Sequence, residues 1–371
     1  MRESTEDTKL GKENNAHPHT IKKFELVEGY VKSWIHKLMN NPNCKEVVFI
    51  DCMCNSGIYK DNDGERIEGT PIRVARVIAD AMPRYTDKTT MLYFNDSAPE
   101  KIAKLQDYLP PDTKNFHIVL SCEDGNQLLK ELQPRLLKRS GLHYLFFYDP
   151  YTATINWEAL APYFFGWGEV IINHMVSDTL RAITSVKRPE TIDKYEQTYL
   201  TSIKELVDLR GDKNAYDKLI KNIIERLGNL TKREYYLAAF PFFIRTNAQI
   251  YSIIFFTKND EGFKLFKKTA WKTFGGKSSN QNTRGRENQL SLFATPPEDK
   301  QCYNVSDIVD YIFDNFNERK TVLLKEIWSF VDRHPVFPTA GYQKDIEAAL
   351  KHRYNCKIHG RKKEERTIDF A

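Results

Sequence analysis

The stretch Val47-Val48-Phe49-Ile50-Asp51-Cys52-Met53-Cys54-Asn55-Ser56-Gly57-Ile58-Tyr59 decides how the rest of the chain is read. An apolar run leads into a carboxylate, the pattern of a strand buried on both faces of a parallel sheet. After Asp51 comes a loop of small residues. A carboxylate at the carboxyl end of such a strand, followed by a tight loop, is where open α/β sheets bind nucleotide-like ligands. Gly57 lets the backbone turn and approach a ligand closely. Asn55 stands where a second glycine is usual, and asparagine tolerates the left-handed conformation better than most residues. Taken alone, the loop is a degenerate glycine pattern that an ordinary strand and turn would also produce.

The flanking sequence repeats the alternation. Phe24, Val27, Tyr30, Val31, Trp34, Ile35 and Leu38 recur at helical spacing, predicting a helix over 19–38. It stops at Asn40-Asn41-Pro42-Asn43. Residues 59–69 read as a polar loop. Gly69-Thr70-Pro71 starts a helix, with Thr70 as its cap. Strands are predicted over 90–95, 116–120, 144–148 and 169–173, with helices over 97–109 and 126–137. Strand and helix alternating across short turns predict an α/β fold with a doubly wound, mostly parallel sheet. The strand ends carry Asp51, Asp96, Asp149 and Asn173. A purely structural sheet has no need of that repetition, whereas a ligand crevice along one edge explains it.

Segments 234–244 and 250–257 read as an antiparallel hairpin at the sheet's edge. Residues 178–227 read as mostly helical, with Tyr195, Tyr199, Leu206 and Ile223 on apolar stripes. The domain reading is therefore a disordered N-terminus over 1–17, an α/β domain over 18–276 with a helical insert over 178–230, a polar linker over 277–302 and a small domain over 303–371. That last part reads as helices over 305–316, 321–331 and 342–353, the third capped by Thr339, then a basic hairpin over 356–370. Three helices and a hairpin form a winged-helix-like pattern; a generic helical cap is the plainer alternative.

The 371 residues carry a net charge of +5, with 41% hydrophobic and 28% charged residues, ordinary for a soluble globular chain. No apolar run is long enough to span a membrane, and the first residues lack the apolar core of a secretory signal. The six cysteines (Cys44, Cys52, Cys54, Cys122, Cys302 and Cys356) are scattered, which points to reduced thiols and a cytoplasmic setting. Charge is unevenly spread. Residues 263–286 hold seven basic side chains and no acid, and 351–366 hold seven more against Glu364 and Glu365. Interleaved with Phe266, Trp271 and Phe274, they suit a polyanion such as nucleic acid, with Lys268, Trp271 and Lys272 as candidate contacts. A solvated basic face is the alternative.

Two motifs carry a resemblance. Asp51-Cys52-Met53-Cys54-Asn55-Ser56-Gly57 resembles the D-P-F-C-G-S-G loop of S-adenosylmethionine-dependent amino-methyltransferases that act on DNA bases. Asp149-Pro150-Tyr151 resembles their D-P-P-Y tetrapeptide with one proline missing. The resemblance implies a class I methyltransferase-like fold. It implies S-adenosyl-L-methionine held by Asp51, Cys54, Asn55, Gly57, Asp96 and Asp124, with Asp96 on the ribose hydroxyls, since a carboxylate accepts from both. It implies an acceptor amine held by Asp149 and the Pro150 carbonyl, with Tyr151 stacked on a flipped base and Asn173 and Arg181 nearby. No metal is implied, because a sulfonium is already a strong electrophile. The plainer readings are a helix cap for Asp96, a turn or cap for Asp124, and a strand end for Asp149.

Over 18–275 the chain is similar to the three-Cys-motif partner protein family, whose members resemble methyltransferases encoded beside a cysteine-motif protein. The matching parts are the 19–38 helix, the loop with Tyr59, Gly69-Thr70-Pro71, Asp149-Pro150-Tyr151, and Ile172-Asn173 followed by Arg181. That resemblance implies a possible neighbouring-gene protein as partner. The other reading is a non-catalytic subunit that keeps the fold and binds nucleic acid or that neighbour.

Remaining motifs point nowhere. Cys52 and Cys54 lack a second pair at zinc spacing, Ser56 lacks a G-x-S-x-G context, and Gly275-Gly276-Lys277-Ser278 lacks the upstream glycine of a phosphate loop. His174 reads as a packed strand-end histidine in preference to a base.

Overall fold

A seven-stranded sheet runs through the larger part of the molecule in the order β5-β4-β1-β6-β7-β9-β8. Its strands are β1 (Glu46–Asp51), β4 (Thr89–Asn95), β5 (Phe116–Ser121), β6 (Leu142–Tyr148), β7 (Gly168–His174), β8 (Tyr236–Phe243) and β9 (Gln249–Thr257). The coordinates are a computed structural model that describes residues 15–150, 154–175, 188–202, 204, 235–244, 249–282, 302–362 and 364–370. β1 pairs in parallel with β4 on one side and β6 on the other, β4 with β5, and β6 with β7. Among the described residues, antiparallel pairing enters this sheet through the β8–β9 hairpin. This is a doubly wound, mostly parallel α/β fold with an antiparallel edge.

Every residue of β6 and β7 is buried, as a strand covered by helices on both faces requires. One face is covered by α1 (Pro18–Met39), α2 (Thr70–Ala81) and α3 (Pro99–Gln106), through Val27, Val31, Ile78 and Leu105. The other is covered by α4 (Gly125–Leu137), the short α5 (Trp157–Leu160) and α6 (Pro189–Tyr199), through Leu129, Leu132, Leu160 and Tyr199. Within the expected helical insert, α6 is helical; Leu206 and Ile223 lie outside the described residues.

Several local expectations change. Residues 59–69 contain a small hairpin, β2 (Ile58–Lys60) with β3 (Arg66–Glu68). Asp61 shapes its turn by accepting from the backbone N–H of Asp63 and Glu65. Such short strands leave no alternation to read. Thr70 lies inside α2, Gly69 holds the cap position, and the Thr70 hydroxyl makes no hydrogen bond. The basic run after residue 260 is mostly α7 (Asp260–Thr273), capped by Asn259. α7 packs against α1 and the β8–β9 hairpin through Phe263, Phe266 and Ala270.

The C-terminal part holds α8 (Val305–Phe316), α9 (Leu324–Arg333) and α10 (Gln343–Tyr354), with a three-stranded sheet β10-β12-β11. Thr321–Leu323, expected to be helical, is β10 and pairs with β12 (Thr367–Asp369), which also pairs with β11 (Lys357–His359). Thr339 does not cap α10: its hydroxyl donates to Asp332 Oδ1 at 2.7 Å, and Tyr342 takes the cap position. The polar segment after α7 is packed at its start, where Ser278 exchanges hydrogen bonds with the Tyr303 backbone and Asn280 with that of Phe243.

Trp271 is wholly buried where α7 meets this C-terminal part. Its Nε1 donates to Val336 O at 2.9 Å, and its ring meets those of Phe337 and Tyr342. Beside it, the buried Lys267 ammonium donates to Asp332 O and His334 O at 2.6 and 2.8 Å. Replacing Trp271 with alanine should therefore destabilise the protein by about 3–5 kcal/mol. Lys272→Ala, on the exposed face of the same helix, should change stability by less than about 0.5 kcal/mol. Chemical denaturation of the two variants checks the contrast.

Candidate functional site

The parallel registers carry the tips of β1, β4, β5 and β6 to one edge, and a cavity of about 390 Å³ opens there. It lies where the chain, having wound from β1 to β4 and β5, returns on β1's other side as β6. That is the topological switch point at which open α/β sheets bind ligands, and the volume suits a small molecule. Each strand's following loop supplies lining: Cys52 and Met53, then Asp96 and Ser97, then Asp124 and Gly125, then Pro150.

Asn95 buttons these loops together. Fully buried, its Nδ2 donates to Cys52 O and Glu123 O at 3.0 and 2.9 Å. Its Oδ1 accepts from Ser121 Oγ and Glu123 N at 2.9 and 3.0 Å. Two donors and two acceptor sites are all an amide has. Next to it, Cys54 N donates to Asn95 O and Asn55 N to Asp96 Oδ2, at 2.8 and 3.1 Å. To make that turn Asn55 takes φ +58° and Gly57 φ +69°. A side chain at Gly57 would also collide with Leu105 and Ile72.

Asp96 is only 1% exposed, yet it lines the cavity. Oδ1 accepts from Ala98 N, Oδ2 from Asn55 N, and the Lys101 ammonium lies 3.4 Å away. Asp124 caps α4, its Oδ1 accepting from Asn126 N and Gln127 N at 3.0 Å, and it lines the cavity as well. Cap and lining are thus one position. Gly125 lets α4 start against the first loop, since a Cβ there would sit 2.6 Å from Cys52 O.

Asp51, Cys54, Asn55 and Gly57 do not line the cavity; they shape the loop behind it. Asp51 accepts from Met53 N at 3.2 Å. Burial, and then the charge of Asp149, push its carboxyl well above the usual range. Burial likewise pushes up the Cys52 and Cys54 thiols, so neither is a ready nucleophile.

Asp149 sits in a cluster of its own. Lys23 of α1 donates to Oδ2 and Asn173 Nδ2 to Oδ1, both at 2.5 Å. Asn173 is thus a direct partner of Asp149. Pro150 is buried and reaches the cavity. Tyr151 and Arg181 lie outside the described residues.

The expected substrate contacts on α7 are not brought to this edge. Trp271 is a core residue, and Lys268 and Lys272 are exposed on α7 without lining the cavity, Lys268 lying beside Gly341. The basic patch is also smaller than its composition suggests, because Lys264 pairs with Asp260 and Lys267 is buried. His174 is a buried strand-end residue against the Tyr199 ring, held neutral by burial with a pKa of about 4.

Sequence reading passed over Lys23, Asn95, Tyr148, Asn126, Lys194 and Gln197. Tyr148 donates to Asn126 Oδ1 and accepts from Asn156 N, and Lys194 and Gln197 of α6 line the cavity. Lys23 did leave a signal, since it falls on the apolar stripe of Val27 and Tyr30, where a lysine needs a partner.

No protein-family model and no curated protein matches the chain. Among solved structures it is similar to a Legionella pneumophila protein, LPL1258, at 11% identity and TM-score 0.40, over 71% of this chain and 94% of that one. It is similar to human methyltransferase-like protein 13, solved with SAH, at 9% identity and TM-score 0.33, over 74% and 97%. A further likeness is to the methyltransferase domain of a bacterial Hen1, at 9% identity and TM-score 0.30, over 62% and 99%.

Asn95→Asp should destabilise the protein by about 2–4 kcal/mol, because a carboxylate cannot donate to two buried carbonyls. Asn55→Ala should cost about 1–2 kcal/mol, and Asn55→Gly less, because only glycine takes the left-handed turn freely. Melting temperatures of the three variants test both statements.

Proposed function

We propose that this protein is an S-adenosylmethionine-dependent methyltransferase whose acceptor is an exocyclic amine of a nucleic-acid base. The observation that carries the reading is Asp96, a buried carboxylate at the tip of the strand beside β1, lining a cavity that Asp124 and Pro150 share. The residues fit that cofactor. Asp96 presents a carboxylate, the acceptor that ribose hydroxyls need, at the cavity wall. Met53, Ile155 and Tyr148 give the same cavity an apolar lining suited to a purine.

When bound, S-adenosylmethionine supplies a methyl group on a sulfonium leaving group. The chain's own residues present the acceptor. Asp149 accepts a hydrogen bond from the exocyclic amine, and the Pro150 carbonyl accepts another, which orients the nitrogen lone pair. Lys23 and Asn173 hold the Asp149 carboxylate in place. Tyr151 stacks on the base. In this reading the protein belongs with the three-Cys-motif partner family, the C-terminal part works as a winged-helix-like module, and exposed Lys268 and Lys272 contribute to a nucleic-acid surface.

The Lys23–Asp149 ion pair also favours a second reading. A carboxylate already held by a buried ammonium is a weaker acceptor for an amine. A fold that keeps this pair would suit a non-catalytic subunit that binds nucleic acid or a neighbouring-gene protein.

Titration calorimetry with S-adenosylmethionine should show saturable binding. Asp96→Asn should weaken it by about 1.5–3 kcal/mol through loss of charge-assisted hydrogen bonds. Asp149→Asn should leave that binding intact while abolishing transfer of labelled methyl groups to nucleic acid. No heat at millimolar ligand would end the enzyme reading. Binding without transfer to any nucleic acid would favour the second.

A further inference from the structure

A second cavity, of about 280 Å³, opens at the opposite edge of the sheet, where β6 and β7 begin. Its lining comes from the C-terminal half of α1 (Tyr30, Trp34), the start of β6 (His143), Trp167 and Glu169 around the start of β7, and the first turn of α7. None of these residues lines the first cavity.

Three features are unusual together. His143 is 3% exposed, and its Nδ1 has no hydrogen-bond partner. Glu169 is a buried carboxyl ringed by donors: Tyr30 OH donates to Oε2 at 2.6 Å and Thr257 Oγ1 to Oε1 at 3.3 Å. The buried Trp34 indole N–H lies near that carboxyl and favours its ionised form, in a geometry outside that of an ordinary hydrogen bond. The aromatic rings meet edge to face around His143, Trp34 at 5.9 Å and Trp167 at 5.0 Å, and Trp167 is 38% exposed at the mouth.

We propose that this cavity binds a small organic cation, a protonated amine, between Trp34, Trp167, His143 and Glu169. Aromatic walls attract a cation through their ring quadrupoles, most strongly where water is excluded. Glu169 supplies the countercharge, and the lone pair of neutral His143 Nδ1 accepts an ammonium N–H. Donors from Tyr30 and Thr257 suit the ionised carboxylate, and among the described residues no cation is ion-paired to it. The lysine that lines it, Lys37, is spent at the rim on Glu261, 3.1 Å away.

Burial holds the Glu169 carboxyl up at about 7, and holds His143 neutral with a pKa of about 3. The other groups around Glu169 are Tyr30 and Lys37 on α1 and Glu261 on α7. Burial keeps the Tyr30 phenol un-ionised. Lys37 holds Glu261 below its usual range. Ionisation of Glu169 is therefore the step to which an incoming ammonium couples. Binding should release a proton and tighten as pH rises through 7.

The probe is benzylamine, which stays protonated across the range, with benzyl alcohol as its neutral counterpart, followed by tryptophan fluorescence on the full chain. We expect saturable binding of the amine, at least five-fold tighter at pH 8 than at pH 6. Glu169→Gln should weaken it at least ten-fold at pH 8 and remove the pH dependence. Trp167→Ala, at the solvent-exposed mouth, should weaken it without loss of fold. Absence of saturation at 10 mM amine in the wild type overturns the proposal. So does equal binding of the alcohol, or unchanged binding in folded Glu169→Gln. None of these readouts involves methyl transfer, so failure here leaves the first cavity's reading untouched.

Discussion

The side chain of Asn95 is the constraint on which the rest of the carboxyl edge depends. Three strands can run in parallel register and still leave their following loops free to diverge. Here a single buried amide bonds to the Cys52 carbonyl, to both backbone groups of Glu123 and to the Ser121 hydroxyl. The loops after β1, β4 and β5 are thereby held at fixed separations. Asp96, the next residue along, inherits that placement. Its own bond from Asn55 N then sets the left-handed turn of the first loop. A fully satisfied buried network of this kind rigidifies its surroundings, whereas a half-satisfied one would be costly. The geometry of the cavity is thus set by the Asn95 amide together with Asp96 and Asp124, whose carboxylates both line it and hold backbone N–H groups.

Most of the fold was legible because its signals are local and repeated. β1, β4, β6 and β7 are apolar runs ended by polar residues, and α1 and α8 have clear helical periodicity, so their existence and order could be read from pattern. What escaped the reading had weak local signals or distant causes. α7 looked like a basic patch because lysines interrupt its stripe of Phe263, Phe266, Ala270 and Trp271. Only the structure shows that Lys267 turns inward to the carbonyls of Asp332 and His334. β2, β3 and β10 are three residues each, too short for a period of two to show. Thr70 and Thr339 have the chemistry of caps, but the chain enters each helix a residue or more away from where composition suggested.

The candidate site was legible in part for the same reason. Strand-end acids announce themselves, so Asp96, Asp124 and Asp149 could be named from sequence. Their partners could not. Lys23 lies 126 positions from Asp149, a pairing that no local pattern encodes. That lysine matters to the electrostatics of the whole edge. Burial, and then the charge of Asp149, push the Asp51 carboxyl up, and the Lys23 charge opposes them. The same ammonium is bonded to Asp149, so a single lysine acts on both carboxyl groups. Asp96 is bonded separately, by two backbone N–H groups and Lys101.

The two edges of the sheet solve the same problem in opposite ways. At the carboxyl edge, Asp96, Asp124 and Asp149 stand just beyond the strands, where backbone N–H groups or lysines reach them. At the amino edge, Glu169 and His143 stand inside β7 and β6, where the strand backbone is already committed to the ladder and offers them nothing. Burial therefore raises the Glu169 carboxyl to about 7 and lowers the His143 imidazole to about 3. A carboxyl among hydroxyl donors and an imidazole with an unbonded Nδ1 are costly ways to hold β6 and β7 together, since an apolar residue at position 143 would pack without an unpaired polar atom. Their presence beside a cavity with an exposed tryptophan at its mouth is more readily explained by something the cavity receives than by the stability of the sheet.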